Sequence, residues 1–183
     1  MALTKVRGLG LGTLDDNITF STAGKGVHLG VTSATSSNLL DDYEEGSWTP
    51  TYVGSGSNPP TITYDKQNGY YVKVGQLVHC QGRLRTDATS GGGDSLFLGG
   101  LPFTTTSASE GYSVLHIGFS VGWGADHYPA GGYVNINSTT VTLRLFDSSD
   151  PRDGFNTALL PSDLTNSADS NDIIFSLTYR TDS

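Results

Sequence analysis

What the chain lacks narrows it first. It holds one cysteine, Cys80, so no disulfide can close within a chain, and stability must come from packing or association. Cys80 lies in the alternating segment Leu77-Val78-His79-Cys80-Gln81-Gly82 and reads as a small buried hydrophobe rather than a catalytic thiol. No apolar run reaches membrane length and no signal-peptide pattern is present, so assembly in a cytoplasm is expected, without membrane insertion. Basic residues are scarce: Lys+Arg number 10 against 18 Asp+Glu, a formal net charge of -8. Such a surface repels phosphate, which argues against nucleic acid or an anionic membrane as the main partner. Charged residues make up only 15% of the chain while glycines number 24. That is not the composition of long amphipathic helices, and the chain is expected to be almost entirely β.

The residue patterns of common catalytic chemistries are missing as well. There is no Gly-x-Ser-x-Gly elbow, no P-loop, no His-Glu-x-x-His and no paired-cysteine zinc spacing. The four histidines, His28, His79, His116 and His127, are scattered. His79 and His116 are expected on strand faces as ordinary packed or solvated side chains. His28 has the sharper alternative of meeting its copies on a three-fold axis, where three imidazoles hold an ion. The loop carboxylates Asp126, Asp147, Asp150 and Asp153 are common turn formers, whereas glycoside hydrolysis needs two that flank one bond. No cofactor or metal is expected, and an enzyme, specifically a glycan-degrading one, is the minor alternative.

Two zones differ in texture. Residues 1–46 carry short apolar pieces split by glycine: Leu9 and Leu11, Ile18 and Phe20, Val27 and Leu29, then Leu39, Leu40 and Tyr43. None builds a core alone. The pattern makes sense when several copies wrap together around a shared axis. Residues 47–183 read as a folded β domain of short strands: Trp48 to Val53, Thr61 to Asp65, Gly69 to Val74, Gln76 to Arg85, Ser95 to Leu98, Tyr112 to Val121, Gly132 to Asn137, Thr140 to Phe146 and Asp172 to Thr181. Four sets are expected to share a face within their strands: Val78, Cys80, Gly82 and Leu84; Leu115, Ile117, Phe119 and Val121; Val141, Leu143 and Leu145; and Ile173, Phe175, Leu177 and Tyr179. Asn68-Gly69 and Gly91-Gly92-Gly93 favour turns, and Asn58-Pro59-Pro60 cannot sit in a central strand. The expected architecture is an antiparallel β-sandwich, jelly-roll-like, with an extended N-terminal segment intertwined in a trimer. The polar stretch from Asp147 to Asn171 is left between a helical turn and an irregular loop.

The segment Asn38-Leu39-Leu40-Asp41-Asp42-Tyr43-Glu44-Glu45-Gly46-Ser47-Trp48-Thr49-Pro50 resembles a junction found in tail-fibre and related virion proteins of bacteriophages. Gly69-Tyr70-Tyr71-Val72-Lys73-Val74-Gly75-Gln76-Leu77-Val78-His79 is similar to the strand pair that follows it there. Gly99-Gly100-Leu101-Pro102-Phe103 is similar to the next landmark, and Ile18-Thr19-Phe20 with Gly26-Val27-His28-Leu29 to a short stem repeat. The resemblance touches about two thirds of the chain. It implies a homotrimeric stem followed by a β-sandwich tip, attached to other virion proteins through the N-terminal segment, and it implies no catalytic residues. It leaves two positions open, on the tail as a receptor-binding fibre or on the capsid as a decoration protein. Independently of the family, Trp48 ahead of Pro50 reads as a large anchor entering an edge strand. The acidic set Asp41, Asp42, Glu44 and Glu45 reads as a solvated collar, with a calcium site as the alternative.

The best binding candidate in the sequence is the loop from Gly122 to Tyr133. Trp123, Tyr128 and Tyr133 supply aromatic faces that stack on sugar C–H surfaces, and Asp126 and His127 supply groups that fix hydroxyls. The expected ligand is a host-surface glycan. The competing reading is that Trp123 packs the end of the sandwich. Arg152, in the stretch from Asp147 to Phe155, is the other contact candidate.

Overall fold

A computed structural model describes residues 18–124, 127–145 and 157–182. The chain divides into two compact units, Met1–Asp41 and Asp42–Ser183. In the first unit, β1 (Val27–His28) pairs antiparallel with β2 (Leu39–Leu40), Val27 opposite Leu40. A 3-10 turn at Ser36–Asn38 precedes β2. Asn38 holds the return, its backbone carbonyl accepting from the Leu29 N–H at 2.9 Å and its side-chain amide donating to the Leu29 carbonyl at 3.2 Å. Ile18, Phe20, Val27, Leu29, Val31 and Leu40 are all exposed. Among the described residues of this unit the only strands are these two, and two residues apiece build no sheet face.

The second unit is one antiparallel sheet. Its strands are β3 (Tyr43–Trp48), β4 (Thr51–Gly54), β5 (Thr61–Val74), β6 (Leu77–Ser90), β7 (Leu96–Gly99), β8 (Ser113–Val121), β9 (Pro129–Val134), β10 (Val141–Leu145), β11 (Thr157–Ala158) and β12 (Ser170–Arg180). The order across the sheet is β3-β5-β6-β12-β8-β9-β10-β7-β4, with β11 on β10. β3 and β4 are joined by only Thr49 and Pro50, yet they lie at opposite ends of that order. The sheet must therefore curl until its two edges meet, which makes an all-β, sandwich-like half-barrel.

The expected strands are found with shifted ends, the one expected from Gly132 to Asn137 lying at Pro129–Val134, and four departures have local causes. The folded unit begins at Asp42, not at Ser47, because Tyr43–Trp48 pairs with β5 from Tyr43 opposite Val74 to Trp48 opposite Gly69. The single strand expected from Trp48 to Val53 is two, broken at Thr49-Pro50, where proline offers no N–H to continue a ladder. Asn68-Gly69 is not a turn: β5 runs through it as one 14-residue strand, with register shifts near Tyr64. Gly69 is needed there because a Cβ would collide with the Trp48 indole. Finally, Leu115 and Ile117 face inward, but Phe119 and Val121 are exposed. β8 carries one extra residue against β12, since Ile117 opposes Phe175 while Phe119 opposes Ile174. That bulge at Gly118 flips every later side chain to the other face.

The other three alternating sets do share the inner face. Val78, Cys80 and Leu84 meet Phe175, Leu177 and Tyr179 across β6 and β12, and Val141, Leu143 and Leu145 cover them from β10. Buried phenols satisfy backbone groups: the Tyr179 hydroxyl donates to the Phe103 carbonyl at 3.1 Å and accepts from its N–H at 3.2 Å. Gly91 and Gly93 have positive φ, as the turn expectation requires. The stretch left open resolves, where described, into β11 and a 3-10 turn at Pro161–Asp163.

Candidate binding surfaces

The loop singled out in the sequence is divided by the fold. Trp123 packs against the core, its ring edge-on to Tyr52 at 5.6 Å between centroids. It closes the end of the sandwich, the structural alternative of the two expected for it. His127 and Tyr128 remain outside. Tyr128 is 48% exposed. The His127 Nδ1 lies 2.8 Å from Oδ1 of the buried Asp163, which also accepts the Leu160 N–H at 2.7 Å and so fixes the 3-10 turn beside it. Tyr133 is not in the loop, because β9 begins at Pro129. It stands on the sheet with the Arg144 guanidinium 5.4 Å from its ring centre and donating to its hydroxyl at 3.2 Å. That cation holds the phenol below its ordinary pKa. Asp126 and Arg152 lie outside the described residues, as do Leu9 and Leu11 of the stem set and Asp147, Asp150 and Asp153.

The junction residues also separate. Trp48 is 8% exposed and meets Phe175 edge-on at 6.1 Å, so it anchors the core and is not a free attachment group. Tyr43 is exposed at the start of β3, its hydroxyl bonded to Glu45 at 2.7 Å. Leu39 is half-buried in the first unit. The acidic set does not converge. Asp42 pairs with the buried Lys73, Glu44 accepts from the Tyr71 hydroxyl, and Asp41 is exposed. Among the described residues no group of three or more His, Cys, Asp or Glu could hold a metal ion. His28 is exposed in β1, and His79 is exposed with Nδ1 2.9 Å from the Thr178 hydroxyl.

A larger surface lies on the outer face of β3, β5, β6, β12 and β8. Exposed there are Tyr43, Tyr70, Val72, Val74, Leu77, Val114, Phe119, Val121 and Ile174. The registers put them on common rows: Tyr43 beside Val74 beside Leu77, and Ile174 beside Phe119. Between these rows runs Tyr70, Gln81, Ser176 and His116, each opposite the next. An open hollow of about 580 Å³ lies over this middle row, lined also by Asn68, Arg83 and Ile174. Arg83 is held in place by two hydrogen bonds to the buried Asp172, at 3.0 and 2.7 Å. Of the exposed apolar residues on this face only Tyr43 was singled out in the sequence, as one of the residues expected at a shared axis. The available signal was the pair of apolar alternations in Tyr70-Val72-Val74 and Phe119-Val121, which read equally as core.

The buried thiol of Cys80 is pushed up to about 12 by its burial, which keeps it protonated and unreactive near neutral pH. No helix among the described residues is long and apolar enough to cross a membrane. No protein-family model, curated protein or solved structure matches the chain.

Proposed function

We propose that this chain is a structural virion protein of a tailed bacteriophage, a homotrimeric fibre or tip module that binds a host-surface glycan and performs no catalysis. The observation that carries the reading is the first unit. Among the described residues of this unit six large apolar side chains, Ile18, Phe20, Val27, Leu29, Val31 and Leu40, stand exposed, and the only strands described there are two residues long each. A segment of that kind is stable when copies supply the missing faces, as in an intertwined stem. The resemblance of the Asn38-to-Pro50 junction to phage fibre proteins agrees with it.

In this reading the glycan contacts are His127 and Tyr128, an exposed aromatic face beside an imidazole whose orientation Asp163 fixes. Single sugar contacts are weak, and three copies on one trimer multiply them. Light scattering of the purified chain is expected to give about three times 19.3 kDa. A glycan array is expected to show a saccharide bound by the native chain and lost with Tyr128→Ala. A monomer that binds no glycan refutes the reading. Immunogold labelling of phage particles places the protein, with label on the tail expected and label on the head surface turning the assignment to a capsid decoration protein.

A further inference from the structure

We infer that the outer face of β3, β5, β6, β12 and β8 is the surface on which copies of this chain meet, so that the β domains associate directly and not only through their stems. The inference rests on the homotrimer proposed above. Of the 13 exposed large hydrophobics among the described residues of the second unit, 9 stand on this one face. Their exposed fractions run from 38% to 61%. With roughly 150–220 Å² per side chain, that amounts to about 800 Å² of apolar surface, which is what one partner of a standard interface buries.

Charge selects another copy as the occupant. The chain carries -8 overall, so two copies repel wherever their general surfaces approach. On this face the charged side chains nearest the apolar rows are Glu45, Arg83, Asp172 and Arg180, two of each sign, and beyond them Lys66 and Arg85 are paired with Asp65 and Asp169. Arg83 and Asp172 already neutralise each other, and Arg180 donates to the Gln76 side chain at 2.6 Å. A neutral, apolar face on an acidic chain is where like copies approach without penalty. The relief suits packing as well. At the Gly118 bulge a side chain would meet only open space, beside the 580 Å³ hollow, so protruding residues of a second copy have room to enter. These strands are the centre of the sheet and are paired on both sides, apart from the β3 edge, so association occurs face to face and not by strand addition.

The test uses thiol protection in the full chain. Cys80 is fully buried and gives a silent background. Ile174→Cys places a thiol at the middle of the face, and Val53→Cys places one on β4, at the far end of the strand order, where the native side chain is 38% exposed. In the assembled protein, maleimide labelling of Ile174→Cys is expected to be at least about tenfold slower than that of Val53→Cys, because it waits for the interface to open. Val121→Cys, from the same face, is expected to behave as Ile174→Cys and serves if that variant folds poorly. Equal labelling rates in a protein that light scattering shows to be trimeric overturn this inference and leave the stem-held trimer standing. Equal rates that slow only on addition of a host polysaccharide give the face to the glycan instead. A monomeric native chain overturns the trimer reading and this inference with it.

Discussion

Asn171 ties several elements of the second unit together, and its replacement has a magnitude that can be worked out. It is fully buried at the start of β12, with φ of 50°. Its side-chain amide donates to the Thr86 hydroxyl at 2.6 Å and to the Thr165 carbonyl at 2.9 Å, and its Oδ1 accepts the Thr165 N–H at 2.8 Å. Its backbone carbonyl accepts from the Tyr52 hydroxyl at 2.9 Å, and its N–H reaches the Gly122 carbonyl at 3.0 Å. β4, β6, β12 and two turns therefore share one side chain and its peptide groups. Asn171→Ala removes three buried hydrogen bonds, about 1 kcal/mol each. It also puts a methyl side chain at a left-handed backbone position, about 1 kcal/mol more. The expected loss is about 4 kcal/mol, a large part of the roughly 5–15 kcal/mol that holds a domain. Asn171→Gly loses the same bonds but tolerates the backbone, so it is expected to be about 1 kcal/mol milder. The assay is urea unfolding followed by tryptophan fluorescence, at one fixed chain concentration because association contributes to apparent stability. A loss below about 1.5 kcal/mol for Asn171→Ala, or a glycine variant no better than the alanine one, would refute the account.

Three further outcomes follow from the same structure. Burial raises the Cys80 thiol from 9.0 to about 12, so the folded state excludes the thiolate that the unfolded chain forms. The stability this contributes is complete below pH 9 and is lost as pH rises towards 12; Cys80→Val is expected to flatten part of that decline in pH-dependent unfolding, with Tyr52 and Tyr179, also raised by burial, supplying the rest. Trp123→Ala is expected to cost about 2–4 kcal/mol in urea unfolding, because the indole packs on Tyr52, whereas Tyr128→Ala on the exposed loop leaves stability within about 0.5 kcal/mol. Gly69→Ala is expected to lower the thermal midpoint, by about 1–3 kcal/mol in free-energy terms, because its methyl group meets the Trp48 indole, which is itself locked in the core; an unchanged midpoint would mean that the ring can move aside.

The sheet was legible in the sequence because its strands alternate cleanly and their ends carry Gly and Pro. Val141-Leu143-Leu145 and Ile173-Phe175-Leu177-Tyr179 point inward as the pattern predicts. What the pattern misplaced depended on partners distant in the chain. Asn68-Gly69 has the composition of a hairpin turn, but a two-residue hairpin already closes at Gly75, where φ is 55° and Val74 faces Leu77. Gly69 instead leaves room for a tryptophan from another strand, and no local rule announces that. The Gly118 bulge is of the same kind, since a strand of continuous apolar alternation gives no sign that its partner is one residue shorter.

The candidate surfaces were less legible, for a reason that belongs to β structure itself. Alternation says which residues share a face and is silent on which face is covered. In β5, Tyr71 and Lys73 turn inward, the lysine held under the Phe103 ring and paired with Asp42, while Tyr70, Val72 and Val74 turn outward. A charged residue on the inner side and three apolar ones on the outer side invert what the sequence suggests. The loop at Trp123 shows the converse. Its aromatic and glycine content suggested a ligand platform, but the end of a curled sheet also needs a plug, and Tyr52 with the turn at Gly122 supplies the socket. Exposure of an aromatic separates the two uses where composition cannot. Tyr128 and Tyr70 stand free of the core and Trp123 does not, so the residues left for recognition and assembly are those that the fold has no need of for its own closure.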